Sequence, residues 1–223
     1  MKISVTIIWG CLAMLLVGGC IKDDAVQQPF SRLTVINGYG AEPRLTYALD
    51  GNTFHSGDYT TARSFEIHIG NRRFRVQDPN QTTLVDTTVR IDPWNYYTTF
   101  SYGTEQSPKL LLTKDSLLPD IERQVAVRFI NLANNVAAID IYEGETLVEL
   151  LTNRTQESAS TVANSQVFLP IGAAGNRVFS AKDSAGNVIA TSREIPFTPG
   201  RHVTLILWGT GGSQADPVKL VSY

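Results

Sequence analysis

Cysteine is nearly missing from this chain: Cys11 and Cys20 are the two in 223 residues, and both fall in the first twenty positions. The rest of the chain can therefore build neither a disulfide framework nor a thiolate metal site. Histidine is almost as scarce. His55, His68 and His202 stand far from metal-ligand spacing, so no metal or other cofactor is expected. A Gly-x-Ser-x-Gly elbow is absent, and no acid, base and nucleophile assemble along the sequence. The chain reads as a non-enzyme, with a hydrolase as the remote alternative. Basic blocks are lacking at a formal net charge of −2, which argues against nucleic acid as a partner. Aspartates such as Asp50, Asp58, Asp78 and Asp86 are dispersed and form no calcium loop. Beyond the first twenty residues no apolar run is long enough to span a bilayer, and no stretch carries a three-turn amphipathic helix.

The N-terminal segment is the most specific signal. Lys2 gives a positive start, Ile3 to Val17 an apolar run, and Gly18-Gly19 the small residues that let a backbone enter a narrow protease site. Val17-Gly18-Gly19-Cys20 resembles the lipobox of bacterial lipoproteins. This implies a signal peptide over 1–19 and a thioether-linked diacylglyceryl group, with palmitate-type chains, on Cys20. An uncleaved membrane helix over Ile3–Ile21 is the weaker reading, because Gly18-Gly19 ends a helix poorly but suits a cleavage site. Trp9 is too bulky for Cys11 to be the lipidated residue. Lys22, Asp23 and Asp24 resemble the short acidic tag that sends Bacteroidota-type lipoproteins to the outer face of the outer membrane. A solvated tether over 20–30 is the plainer alternative. The implied location is the outer membrane, lipid-anchored, at the cell surface.

The remaining composition, 43% hydrophobic and 18% charged, is that of a folded globular chain. Landmarks recur in the same order at a period near 100 residues. Leu33–Asn37 matches Val127–Asn131, and Ala48-Leu49-Asp50-Gly51 matches Ile141-Tyr142-Glu143-Gly144. Ile69-Gly70 answers Ile171-Gly172, Phe74–Asp78 answers Phe179–Asp183, and Phe100–Thr104 answers Ile206–Thr210. The runs are short, β-branched and aromatic, with turn residues between them. The expected fold is all-β: two tandem immunoglobulin-like antiparallel β-sandwich domains, 31–115 and 122–223, after the lipoprotein signal peptide, joined by a linker at 116–121. Val125, Val127 and Phe129 alternate with Ala126 and Arg128 as in a half-buried strand. His202 to Trp208 is apolar on both faces, so its outer face should be covered by a loop or by the other copy. Thr152 to Asn164 reads as a long loop, and Leu117 and Leu118 as residues that could pack between the domains.

An opening Val-rich strand ending in Asn, a strand running into an acidic-Gly turn, and a late strand followed by Gly resemble the domain of unknown function 4397 family. Val125 to Tyr223 looks like the better copy. The resemblance implies a β-sandwich in an envelope protein and brings no catalytic residues. The first copy departs at one point: Asp92-Pro93-Trp94-Asn95 stands where the second has Pro199-Gly200. Trp94, Tyr96 and Tyr97, with Tyr102 nearby, form the densest aromatic cluster, for which two readings compete. One is a sugar-stacking platform that would make a glycan the partner. The other, preferred here, is packing in the core and at its rim, with one of Tyr96 and Tyr97 buried because neighbours on a strand face opposite ways. An envelope protein is the other candidate partner, besides the membrane itself. Ser116 and Ser184, each following an aspartate, look like O-glycosylation acceptors on exposed turns.

Overall fold

The computed structural model describes residues 29–223, so Cys20, Lys22, Asp23 and Asp24 lie outside the described residues. The first repeat contains β1 (Phe30–Asn37), β2 (Arg44–Leu49), β3 (Asn52–Asp58), β4 (Ala62–His68), β5 (Gly70–Gln77), β6 (Thr83–Ile91), β7 (Tyr96–Thr104) and β8 (Ser107–Lys114). They form two four-stranded sheets, ordered β4-β1-β7-β8 and β3-β2-β5-β6. The second repeat contains β9 (Ala126–Asn131), β10 (Asp140–Glu143), β11 (Thr146–Leu147), β12 (Leu169–Pro170), β13 (Gly175–Arg177), β14 (Phe179–Lys182), β15 (Val188–Thr191), β16 (Ile195–Phe197), β17 (His202–Trp208) and β18 (Lys219–Ser222). Its sheets run β12-β9-β17-β18 and β11-β10-β14-β15, with β13 and β16 pairing as a separate ribbon.

The two repeats thus carry the same strand order, and three of the five sequence landmarks, Leu33–Asn37, Phe74–Asp78 and Phe100–Thr104, occupy equivalent positions in it. The other two are offset by the register: Asp50 N bonds Arg73 O as Gly144 N bonds Val178 O, so Asp50 answers Gly144 rather than Glu143, and Ile67 rather than Ile69 answers Ile171. Asn37 and Asn131 close their first strands in the same way. Each is fully buried, accepts from the backbone two residues on (Tyr39 N, Ala133 N) and donates through Nδ2 to a carbonyl across the sheet end (Gly57 O, Arg154 O). A side-chain amide there satisfies backbone groups that the ending strand leaves without partners. Asp78 and Asp183 likewise accept the backbone N–H four residues on, from Thr82 and Asn187, and so turn the β5–β6 and β14–β15 hairpins.

Pairing is antiparallel except at one contact in each sandwich. β1 runs parallel to β7, with Ile36 opposite Phe100, and β9 runs parallel to β17, with Ile130 opposite Ile206. A closed sandwich brings the first strand against a strand an even number of reversals later, and the two must then point the same way.

Each sandwich has its own core. Leu33, Val35, Tyr47, Phe74 and Tyr97 anchor the first, and Val127, Phe129, Ile141, Phe179 and Leu205 the second. A third apolar cluster joins Ile36, Phe100, Tyr102 and Leu111 of the first repeat to Ile130, Leu132, Ile206 and Trp208 of the second. The outer faces of the β1-β7-β8 and β9-β17-β18 sheets therefore pack on one another. This is the cover that β17 requires: Val203, Leu205 and Leu207 face its own core while Ile206 and Trp208 face the other repeat. Gly38 makes room for the indole, since a Cβ there would lie 2.9 Å from Trp208 Cε3. The half-buried reading of β9 is corrected: all six residues are buried, because the neighbouring repeat, together with Ile121 and Phe168, covers the face that alternation assigned to solvent.

Arg128 lies in this interface with 2% of its side chain exposed. It donates to Asp115 Oδ1 at 2.6 Å, to the hydroxyls of Thr98, Thr113 and Thr204, and lies over the Phe168 ring. A guanidinium buried this deeply needs such partners, or its desolvation is uncompensated. The segment 148–168 contains a 3₁₀ turn (Glu149–Leu151) and one short helix, α1 (Val162–Ser165). It folds around buried Glu157, whose carboxylate accepts from Arg154, Thr161 and Ser165. Leu118 is partly buried against Ile121, Ala126 and Phe168, whereas Leu117 is exposed.

Contacts across the interface fix the relative direction of the repeats. Arg128, early in β9, meets Thr98 early in β7, and Asn134, just past β9, donates to Gly103 O late in β7. β1, β7, β9 and β17 therefore all run from one end of the molecule to the other. Phe30 and the 92–95 turn mark the end at which the chain enters. The β7–β8, β14–β15 and β17–β18 turns mark the far end.

Candidate functional site

The turn at the entry end is tightly held. Ser31 Oγ donates to Asp92 O at 2.6 Å and accepts from Asn95 N at 3.1 Å. Trp94 N donates to Phe30 O at 3.1 Å, and Arg32 N donates to Asn95 O at 3.0 Å. Ser31 is itself buried, so the turn hangs on a fixed point. Pro93 supplies the preset φ of the first turn position, and the next residue takes the left-handed conformation. In the second repeat that residue is Gly200, at φ +78°; in the first it is Trp94, at φ +60°. The equivalence follows from the bonds beyond the turn: Ala126 N donates to Arg201 O just as Arg32 N donates to Asn95 O. A large aromatic in this region is uncommon and costs roughly 1–2 kcal/mol relative to a right-handed residue.

Held this way, Trp94 is 61% exposed and Tyr96 48% exposed. Phe30 meets the indole edge-on at a centroid distance of 5.4 Å. Phe30, Ser31, Arg32, Glu66, Trp94, Asn95 and Tyr96 line an open groove of ≈ 430 Å³. Glu66 stands opposite Arg32 in the β1–β4 pairing, and Arg32 opposite Tyr96 in the β1–β7 pairing. Two rings flanked by a guanidinium, a carboxylate and an amide can stack on a flat or ring-shaped group and bond its rim.

The four aromatics named from sequence do not act together. Tyr97 and Tyr102 are each 3% exposed and present no ring face to a ligand. Strand alternation turns Tyr97 into the first core, where its hydroxyl accepts from Asp92 N. Tyr102 lies between the repeats and donates to Glu157 O; burial, then the Glu157 charge, pushes its hydroxyl up to about 12. Phe30, Arg32 and Glu66 were not singled out from sequence. The departure of Asp92-Pro93-Trp94-Asn95 from Pro199-Gly200 marked the turn itself but not the strand residues of β1 and β4 that surround it.

Ser116 and Ser184 are both exposed, Ser184 on the β14–β15 turn and Ser116 bridged to Val167. Asp183 accepts from the Asn187 side chain and from the backbone N–H groups of Asn187 and Ala185, which hold its carboxyl below the ordinary aspartate range. At the far end a second groove of ≈ 610 Å³ lies between the β9–β10, β14–β15 and β17–β18 loops, lined by Asn135, Val136, Val188, Thr210 and Val218 among others. His202 Nε2 accepts from Leu118 N, and burial lowers its pKa first of all. Among the described residues no three His, Cys, Asp or Glu side chains come together as a metal site, and no helix is long and apolar enough to cross a membrane.

No curated protein matches the chain. A solved structure, the carbohydrate-binding module CBMbc (family CBM26) from Eubacterium rectale Amy13K in complex with maltoheptaose, is 9% identical. That match covers 87% of this chain and 96% of the other at a TM-score of 0.23, a likeness that carries no inference about this protein. A family model matches residues 31–142, which is the first repeat with β9 and most of β10, rather than the second copy that had looked nearer the family pattern. With half its length matched and the fold in accord, the chain belongs to the family described as Domain of unknown function (DUF4397).

Proposed function

We propose that this protein is a lipid-tethered, non-enzymatic accessory of the cell envelope, held on the outer membrane by acylated Cys20 and exported to the cell surface by Lys22, Asp23 and Asp24. The observation that carries the accessory role is the apolar cluster between the repeats, which makes two sandwiches one block. Such a block acts as a spacer: the chain enters at one end, and loops with a groove of ≈ 610 Å³ face the other, where an envelope partner can be met. Metabolic labelling with a fatty-acid probe tests the anchor. Label should be lost and the precursor should accumulate in Cys20→Ala; label that persists, or arrives through Cys11, sinks the reading. Replacing Lys22, Asp23 and Asp24 by alanine should remove sensitivity to external protease, and unchanged sensitivity would refute surface export.

Glycan capture is the second reading, favoured by the groove in which Trp94 and Tyr96 stay exposed beside Arg32, Glu66 and Asn95. Saturable binding on a glycan array, lost in a folded Trp94→Ala protein, would support it. Absence of binding by the wild type would end it.

A further inference from the structure

We propose that the Phe30–Trp94–Tyr96 surface rests in the membrane–water interface of the bilayer that carries the Cys20 lipid, an inference that rests on the anchoring proposed above. Trp94 N is bonded to the carbonyl of Phe30, the first residue of β1, so the exposed rings stand where the chain enters the fold. From Cys20 to Phe30 the chain advances ten residues (30 − 20), which spans at most about 35 Å even when fully extended. Among the described residues Phe30 is thus the first strand residue after the anchored cysteine, and the fold sets Trp94 and Tyr96 beside it.

The chemistry of the surface suits an interface rather than solvent. Tryptophan and tyrosine concentrate at headgroup depth, where the ring body meets acyl chain and the N–H or O–H stays hydrated. Phe30 extends the apolar contact. Arg32, Arg90 and Lys114 lie at the same end within reach of lipid phosphates, although Asp92 pairs with both Arg90 and Lys114 and Glu66 faces Arg32. Rings rather than net charge therefore supply the attraction. The left-handed backbone of Trp94 is the second sign: the first repeat retains a strained indole where its twin has Gly200, and strain of this kind persists where a side chain is put to use. A weak contact suffices, because an anchored protein meets the bilayer at an effective concentration on the order of millimolar. A glycan platform at this end would instead face the membrane, within the reach of its own anchor.

The lipidated protein, purified from membranes and reconstituted into phosphatidylcholine vesicles with or without bromine on the acyl chains, provides the test. Past Cys20 the chain has two tryptophans, and Trp208 is buried between the repeats, so wild-type emission minus that of Trp94→Phe isolates Trp94. The expected result is a blue-shifted Trp94 emission that is lost in brominated vesicles, with the loss reduced by Tyr96→Ser, while circular dichroism shows each variant folded. Equal Trp94 emission in both vesicles, from protein that carries the lipid label and floats with the vesicles, overturns the seat and leaves the anchor standing. Protein without label that fails to float overturns the anchor and the seat together. Trp94 emission that ignores brominated lipid but responds saturably to a glycan from the array overturns the seat in favour of sugar capture.

Discussion

Replacing Trp94 by glycine and by alanine separates backbone strain from side-chain contact. Both variants delete the ring and its edge-on contact with Phe30, which contributes about 0.5–1.5 kcal/mol. They differ in what the backbone must do. Alanine at φ +60° keeps a left-handed penalty of roughly 1–2 kcal/mol, whereas glycine adopts that conformation freely, as Gly200 does at φ +78° in the twin turn. Against this, glycine enlarges the conformational freedom of the unfolded chain, at a cost of roughly 0.4–1 kcal/mol. Glycine should therefore be the more stable of the two by about 0.5–1 kcal/mol, reversing the usual order, and should come close to wild type because strain relief offsets the lost contact. Urea unfolding of the soluble chain from residue 21 onward measures this as a shift in midpoint at constant slope. An alanine variant as stable as the glycine variant would refute the strained turn. It would also remove the strain observation from the case for a membrane seat.

The buried pair between the repeats allows a second measurement: Asp115→Asn should destabilise by about 3–5 kcal/mol because Arg128 keeps its charge without its counter-ion, while Asp115→Leu with Arg128→Met should recover most of the loss. A double variant no better than the single one would contradict this. Trp208→Ala should cost about 3–5 kcal/mol and split one unfolding transition into two as the repeats uncouple, so a single transition would show that the third core is not what joins them. Asp183 titrates below the ordinary range, so its support for the β14–β15 turn is complete above the unfolded aspartate value and fades as pH falls through the depressed one. The amide shifts of Ala185 and Asn187 should follow that carboxyl, and should lose their low-pH step in Asp183→Ala. A fragment from Glu122 to Tyr223 should fold with a β-rich spectrum yet self-associate through Ile130, Leu132, Ile206 and Trp208; a monodisperse monomer on sizing would count against the interface.

Local pattern in the sequence revealed what depends on local pattern. Runs of β-branched and aromatic residues bounded by turn formers marked the strands, and Asp78 and Asp183 recur at the turns they close. The demand of His202–Trp208 for a cover was legible because a strand apolar on both faces cannot leave one in water. Which surface supplies that cover was not legible. The same limit explains Arg128: alternation assigns it to the wet side of β9, and only the arrival of the first repeat, with Asp115, Thr98 and Thr113, turns that side into an interior. Parallel pairing of β1 with β7 escaped as well, since direction between distant strands leaves no mark on either one. At the candidate site, alternation did separate exposed Tyr96 from buried Tyr97, but Tyr102 was hidden by the other repeat rather than by its own sandwich. Trp94 was visible as an aromatic and as a departure from the twin's Pro199-Gly200 but not as a strained residue, because its φ is imposed by the bonds that tie the turn to Phe30 and Ser31, which the sequence does not display.

The interface between the repeats has a consequence for how the duplicated unit works. Strand register makes Ile36 equivalent to Ile130, Phe100 to Ile206, and Tyr102 to Trp208, so each copy contributes the same apolar face. Two like faces packed with their strands running the same way form the arrangement of an isologous dimer, here within one chain. Covalent linkage suits this geometry: β8 ends and β9 begins at the entry end, so the short segment from Asp115 to Val125 can join them without crossing the block. A patch that would drive association between separate molecules is thereby spent inside one. The copies have diverged at the two ends of the strands. The first keeps Pro93-Trp94 where the second keeps Pro199-Gly200, and the second frames the ≈ 610 Å³ groove between its loops. Divergence at both ends of a shared, doubly covered frame is what a spacer requires if one end is to meet a membrane and the other a partner; the 148–168 segment and the β13–β16 ribbon are the second copy's additions along its sides.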